Sequence, residues 1–140
     1  MISIIIVTHG DFGAYMLEAA EMIIGAHSQG VDIISISSRV PVDTIKETLR
    51  AAIERHRSDD GMIVFTDIFG GTPTNVSIPL TRDIPNTAVI SGVNLNMVLS
   101  AMSYRSKLAF PELVKKVTDD GRKAICDIKG LLAAAQRKAA

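Results

Sequence analysis

Little in this chain of 140 residues is present in excess. It has one cysteine, no tryptophan, 4% aromatic residues, and fifteen basic residues matched by fifteen acidic ones. The lone cysteine, Cys126, excludes an internal disulfide and fits a reducing compartment. Balanced charge, with no basic stripe and no interleaved aromatics, excludes the electrostatic footprint of a nucleic-acid binder. No apolar run approaches the roughly 20 residues needed to span a bilayer. The apolar N-terminus lacks the basic flank and small-residue cleavage pattern of a signal peptide and reads as a strand. These absences predict a soluble cytoplasmic protein that does not insert into membranes.

What is present is apolar and regularly spaced. Hydrophobic residues make up 47% of the chain and charged residues 21%, which suits one globular domain with a sizeable core. Ile4, Ile5, Ile6 and Val7 form an unbroken β-branched run, as expected of a strand buried on both faces of a parallel sheet. The first strand is placed over residues 2–10, with further strands at 31–36, 62–66 and 87–91. Helices alternate with them. The first is expected over 12–24, capped by Asp11, with Phe12, Met16, Ala19, Ala20 and Ile23 on its core face and Gly25 just past its end. The second runs from 42 to 57, with Ile45, Leu49, Ala52 and Ile53 inward. A short third helix starts at Pro73 with Thr72 as its cap, a fourth covers 95–102, and a fifth runs from 110 to about 121. After Gly121, Ala124, Cys126 and Ile128 alternate with Ile125 and Asp127, a weak strand pattern. Residues 131–140 form an Ala-rich tail or linker remnant beyond a domain at 1–130. The fold class is α/β: a mainly parallel sheet in a three-layer sandwich, with helices on both faces.

Chemistry concentrates where strands one, three and four end, because parallel strands bring those three loops to one edge. They carry Thr8-His9-Gly10, the stretch from Asp67 to Asn75, and Gly92-Val93-Asn94. Gly70 and Gly71 remove side chains where a ligand or another backbone comes close, and the helix that follows offers free amides and a positive dipole end to an anion. Asp67 can accept a hydrogen bond from one ring nitrogen of His9, fixing the tautomer and leaving the other nitrogen as a nucleophile. A nucleophilic imidazole beside an anion-binding helix end suits phosphoryl transfer, which needs positioning and electrostatic help above all. No arginine or lysine lies in the three loops, so a hydrolase-style guanidinium clamp is missing unless Arg39 or Arg82 reaches in.

These residues resemble a known family. Thr8-His9-Gly10, Asp67 with Phe69-Gly70-Gly71-Thr72-Pro73-Thr74-Asn75, and Gly92-Val93-Asn94-Leu95 are similar to the IIA domain of the mannose family of the bacterial sugar phosphotransferase system, over about residues 1–130. The resemblance implies a phosphotransferase in which His9 takes a phosphoryl group from the phosphocarrier HPr and passes it to a IIB component. It implies that Asp67 orients His9, and that Gly10, Gly70, Gly71 and Thr72 surround the phosphoryl group. It further implies a homodimer whose final strand, residues 122–128, lies antiparallel on the partner's sheet. Asn96 stands where members of the family often have proline. No IIB segment follows, so the acceptor is expected to be a separate protein.

Other readings bear on the same residues. A histidine phosphatase or mutase also places His-Gly after a first strand, but with arginine before it, where this chain has Thr8. A metal chelatase would need further ligands, and no other histidine falls in the three loops, so neither metal nor cofactor is expected. A regulatory adaptor that responds to phosphorylation without serving transport is the remaining alternative. Asn94 reads as a turn residue, His27 and His56 as solvated, Cys126 as a packed strand residue, and Asp59-Asp60 as a turn. Met16, Met22, Met97 and Met102 read as core or interface.

Overall fold

The computed structural model describes residues 1–25 and 28–140. The strands are β1 (Ser3–His9), β2 (Val31–Ile36), β3 (Met62–Thr66) and β4 (Thr87–Ile90). The helices among the described residues are α1 (Phe12–Ile24), α2 (Val42–His56), α3 (Thr72–Thr81), α4 (Leu95–Tyr104), α5 (Phe110–Lys123) and α6 (Ile128–Ala139). All strand pairs are parallel and the order is β2-β1-β3-β4. Ile4 stands opposite Val31 on one side and Ile63 on the other, so β1 is interior to the sheet.

Strand alternation divides the core in two. Ile4, Ile6, Ile63 and Phe65 pack with Ala20 of α1, Met97, Val98 and Ala101 of α4, and Leu113 and Val117 of α5. Ile5, Val7, Met62 and Val64 pack on the other face with Ile45, Leu49, Ala52 and Ile53 of α2 and Val76 of α3. Each of Ile4, Ile5, Ile6 and Val7 is fully buried, and burial of a side chain of this size stabilises by about 1.5–3 kcal/mol. The isoleucine run therefore serves both layers at once, which is why it lacks polar alternation.

Several local expectations are corrected. In α1 the buried residues are Gly13 and Ala20, with Met16, Leu17 and Ile24 packed alongside, while Phe12, Met22 and Ile23 are exposed. The helix is apolar on two stripes, and Gly13, with no side chain, lets the other stripe sit down on β1. Asp11 makes no side-chain cap; Thr8 Oγ1 instead accepts the Gly13 N–H at 3.1 Å. Helix α3 begins one residue earlier than expected, with Gly71 as N-cap and Pro73 still within the first turn, where its missing N–H costs nothing.

The final strand at 122–128 is absent. Helix α5 runs on to Lys123, and α6 starts at Ile128 with Asp127 Oδ1 accepting the Gly130 N–H at 3.1 Å. The run that follows is rich in alanine and leucine, both strong helix formers, and a short alternation cannot form a strand without a ladder partner. Consequently Cys126 is exposed and not packed, and the tail is a helix in which no residue is buried. His56 ends α2 with its side chain mostly covered rather than solvated. Its Nε2 lies 3.2 Å from Asp32 Oδ1, outside hydrogen-bonding alignment. His27 lies outside the described residues.

Candidate functional site

The strand order places β1 and β3 side by side, with α1 leaving β1 on one face of the sheet and α3 leaving β3 on the other. Their carboxyl ends are thus the switch point of the topology, where open α/β sheets hold ligands. His9 is the last residue of β1 and Asp67 follows the last residue of β3. The pairing Val7↔Thr66 puts the two residues just beyond the same rung.

The carboxylate is fully engaged. Asp67 Oδ2 accepts the His9 backbone N–H at 2.8 Å and lies 2.9 Å from His9 Nδ1, while Oδ1 accepts the Ile68 N–H at 2.9 Å. An ionised carboxylate only accepts, so Nδ1 carries the proton and Nε2 presents its lone pair. The His9 side chain is about half exposed, at 48%, and Asp67 is at 18%, so the free nitrogen is reachable while its orienting partner is mostly covered. Burial pushes the Asp67 carboxyl up, but hydrogen bonds from the His9 amide and ring outweigh it and hold the group below the usual carboxylate value.

The glycine loop comes close to the ring. A Cβ on Gly71 would stand 3.1 Å from His9 Cε1 and 2.9 Å from Ile68 Cγ2, so no larger residue fits without displacement. Gly70 has φ +84°, a left-handed conformation that glycine adopts without strain, and its carbonyl accepts from Asn75 Nδ2 at 3.1 Å. Thr72 is the first helical residue of α3, half-buried, where amides of the first turn have no acceptor within the helix. Gly10 sits next to His9, but its N–H already donates to Ile36 O at 2.8 Å, so it shapes the backbone there more than it offers a donor. Arg39 and Arg82 are exposed, and Asp67 pairs with His9 instead of with either.

Four residues near this edge carry roles that the sequence reading did not assign. Thr8, fully buried, uses its hydroxyl to hold the start of α1 and to donate to Gly10 O at 3.1 Å. Thr66 and Thr74, also buried, join their hydroxyls across the glycine loop. Asn94 is the N-cap of α4, accepting from the Met97 N–H at 3.1 Å, and donates to Gly121 O at 3.2 Å. A polar residue closing an otherwise apolar strand, as Thr8 and Thr66 do, is the available sequence signal.

The family model EIIA-man, described as PTS system fructose IIA component, matches residues 3–118. The chain is 29% identical over 117 residues to the PTS system fructose-specific EIIA component of Bacillus subtilis (strain 168), covering 84% of this chain and 80% of that one. It is 30% identical over 129 residues to the PTS system mannose-specific EIIAB component of Escherichia coli (strain K12). That match takes in 91% of this chain but 40% of the relative, so the chain spans less than half of that protein. Among solved structures, the phosphotransferase system component EIIA from Streptococcus agalactiae superposes with TM-score 0.83 at 32% identity, covering 93% of this chain and 99% of that one.

Proposed function

We propose, on the premise that this chain belongs to the EIIA-man family of the sugar phosphotransferase system, that its phosphoryl group is carried on His9. The chain is a phosphocarrier of sugar phosphotransfer and, as such, a phosphotransferase. The observation that carries the His9 assignment is the 2.9 Å approach of His9 Nδ1 to Asp67, which leaves Nε2 open beside the start of α3.

In this reading the donor is phospho-HPr in the cytoplasm. The Nε2 lone pair attacks phosphorus, the N–P bond forms, and the bond from phosphorus to the donor breaks with its electron pair leaving on the donor. Positive charge that grows on the ring is met by Asp67 through the Nδ1 proton. Negative charge on the phosphoryl oxygens is met by the amides and dipole at the start of α3, with Thr72, Gly70 and Gly71 lining the space. The reverse movement delivers the group to a IIB component. No arginine or lysine in the three loops holds the group in place, which favours release over retention. A phosphatase reading is not favoured, since the position before His9 is Thr8, whose hydroxyl is committed to backbone partners.

Docking is supported by apolar surface around the site. Phe12 and Tyr15 of α1 are exposed at 63% and 68%, and Ile68 and Phe69 of the loop at 57% and 87%. Exposed apolar groups gathered in this way mark a protein contact. No helix among the described residues is long and apolar enough to cross a membrane.

The IIA unit is assigned to residues 1–130, with 131–140 as an appended extension. A homodimer is proposed with it. β4 is one of the two edge strands of the sheet, and Ile125, Ile128, Leu131 and Leu132 stand exposed beside or within α6. A second copy laid along β4 would cover that edge, and residues 122–128, which end α5 and begin α6 within one chain, would have to leave that arrangement to form the antiparallel strand the family resemblance implies. Light scattering at micromolar concentration is expected to return twice the chain mass; a monomer would remove the exchanged segment from the proposal.

The assignment is tested by incubating the chain with phosphoenolpyruvate, the upstream kinase and HPr. One phosphoryl group per chain is expected, labile in acid and stable in base, as a phosphoramidate is. A label stable in acid and lost in base would point to a hydroxyl acceptor, and one lost in base as well as in acid to a carboxylate; either would overturn it.

A further inference from the structure

We propose that Thr66 and Thr74 are positioning residues for transfer at His9, their hydroxyls forming a one-way chain that clamps the glycine loop against the imidazole. The inference rests on the assignment of His9 as the phosphoryl acceptor.

The direction of the chain follows from counting protons. Thr74 Oγ1 is 2.7 Å from Ile68 O and 2.8 Å from Thr66 Oγ1. A carbonyl only accepts, so the single Thr74 hydroxyl proton goes to Ile68 O. Thr66 must then donate to Thr74. Thr66 is fully buried and Thr74 is 7% exposed, so water does not readily take over either role, and a lost partner leaves a buried polar atom unpaired.

The chain ends on the carbonyl of Ile68, the residue whose amide sets Asp67. The Ile68 N–H donates to Asp67 Oδ1 at 2.9 Å, and the Ile68 carbonyl receives the Thr74 hydroxyl and, at 3.4 Å, the Gly71 N–H. The other oxygen of the same carboxylate holds both the ring and the amide of His9. Ile68 also forms one wall of the gap into which Gly71 fits, the other being His9 Cε1. The Thr66 carbonyl accepts the Val93 N–H at 3.0 Å, which ties the loop after β4 to the same point. One pair of hydroxyls thus fixes the carboxylate that steers the ring and the loop that faces it. Both threonines lie beneath the loop, where they touch neither phosphoryl donor nor acceptor.

A merely structural pair would affect stability alone; a positioning pair affects the rate at saturation. The test compares wild type, T74V, T74S and T66V as full chains, measuring phosphoryl uptake from phospho-HPr over a range of donor concentrations, with thermal melting as a control. T74V and T66V keep the volume and remove the hydroxyl. A fall in kcat of about 10–100-fold is expected for T74V, with KM for phospho-HPr unchanged within about twofold, because a displacement near 1 Å is felt on that scale. T74S, which keeps the hydroxyl, is expected within about threefold of wild type. T66V carries the same expectation as T74V and decides the matter if T74V does not fold. A folded T74V or T66V that transfers at the wild-type kcat, or a T74S as slow as T74V, overturns the inference while the His9 assignment stands. A wild type that takes up no label on His9 overturns both.

Discussion

His9→Ala is expected to reduce phosphoryl uptake to background, by about 10⁴-fold or more, the scale on which loss of a covalent nucleophile is felt. The fold should survive, since the side chain is half exposed and sits at the end of β1 and not in either core layer. Among the described residues no nearby group can substitute. Asp67 is occupied on both oxygens, Thr72 lacks a base to activate its hydroxyl, and His56 faces Asp32 at the start of β2, the opposite end of the sheet. Uptake is measured as acid-labile label per chain, with circular dichroism confirming the fold. Undiminished labelling of the His9→Ala protein would place the acceptor elsewhere and dissolve the functional reading of this edge.

The parts of the fold that depend on one signal were legible in advance. Strands β2 and β3 and helix α1 fall where apolar runs and helical spacing put them, and the His9–Asp67 pair follows once β1 and β3 are parallel neighbours. Failures occur where two signals conflict or where a partner decides. Helix α1 carries apolar residues on two stripes, and periodicity alone cannot say which one meets the sheet; Gly13 decides it, since the face with no side chain approaches β1 most closely. Residues 124–128 alternate like a strand, but alternation gives no ladder, and Asp127 caps a helix instead. His56 looked solvated because its neighbours in sequence are polar, yet Asp32 reaches it from β2. The Thr66–Thr74 pair was out of reach for a different reason. Its members are eight residues apart with the glycine loop between them, and only closure of that loop brings the hydroxyls to 2.8 Å.

Asp67→Asn carries the second large effect. The carboxylate fills three acceptor roles with two oxygens: His9 N–H and Nδ1–H on Oδ2, and Ile68 N–H on Oδ1. Asparagine has one acceptor oxygen and one donor NH2. If the oxygen faces His9, the NH2 opposes the Ile68 N–H; if it faces Ile68, the NH2 opposes the ring proton and selects the other tautomer, with the proton on Nε2 where the attack must start. Either way the negative charge that offsets the developing imidazolium is gone. A fall in transfer rate of roughly 10²-fold or more is expected, in line with the loss of an orienting carboxylate behind a catalytic imidazole. The acid side distinguishes charge from shape. Because the folded group titrates below its usual value, its contribution to stability is present above the unfolded carboxylate range near pH 4 and is lost as pH falls through the lower folded value. The stability gap between wild type and Asp67→Asn should therefore be largest near neutrality and shrink towards pH 3, as read from denaturant midpoints at the two pH values. A gap that stays constant with pH would mean the ionised form has no special partner in His9. A folded Asp67→Asn protein that transfers phosphoryl groups at the wild-type rate would remove the carboxylate from the mechanism altogether.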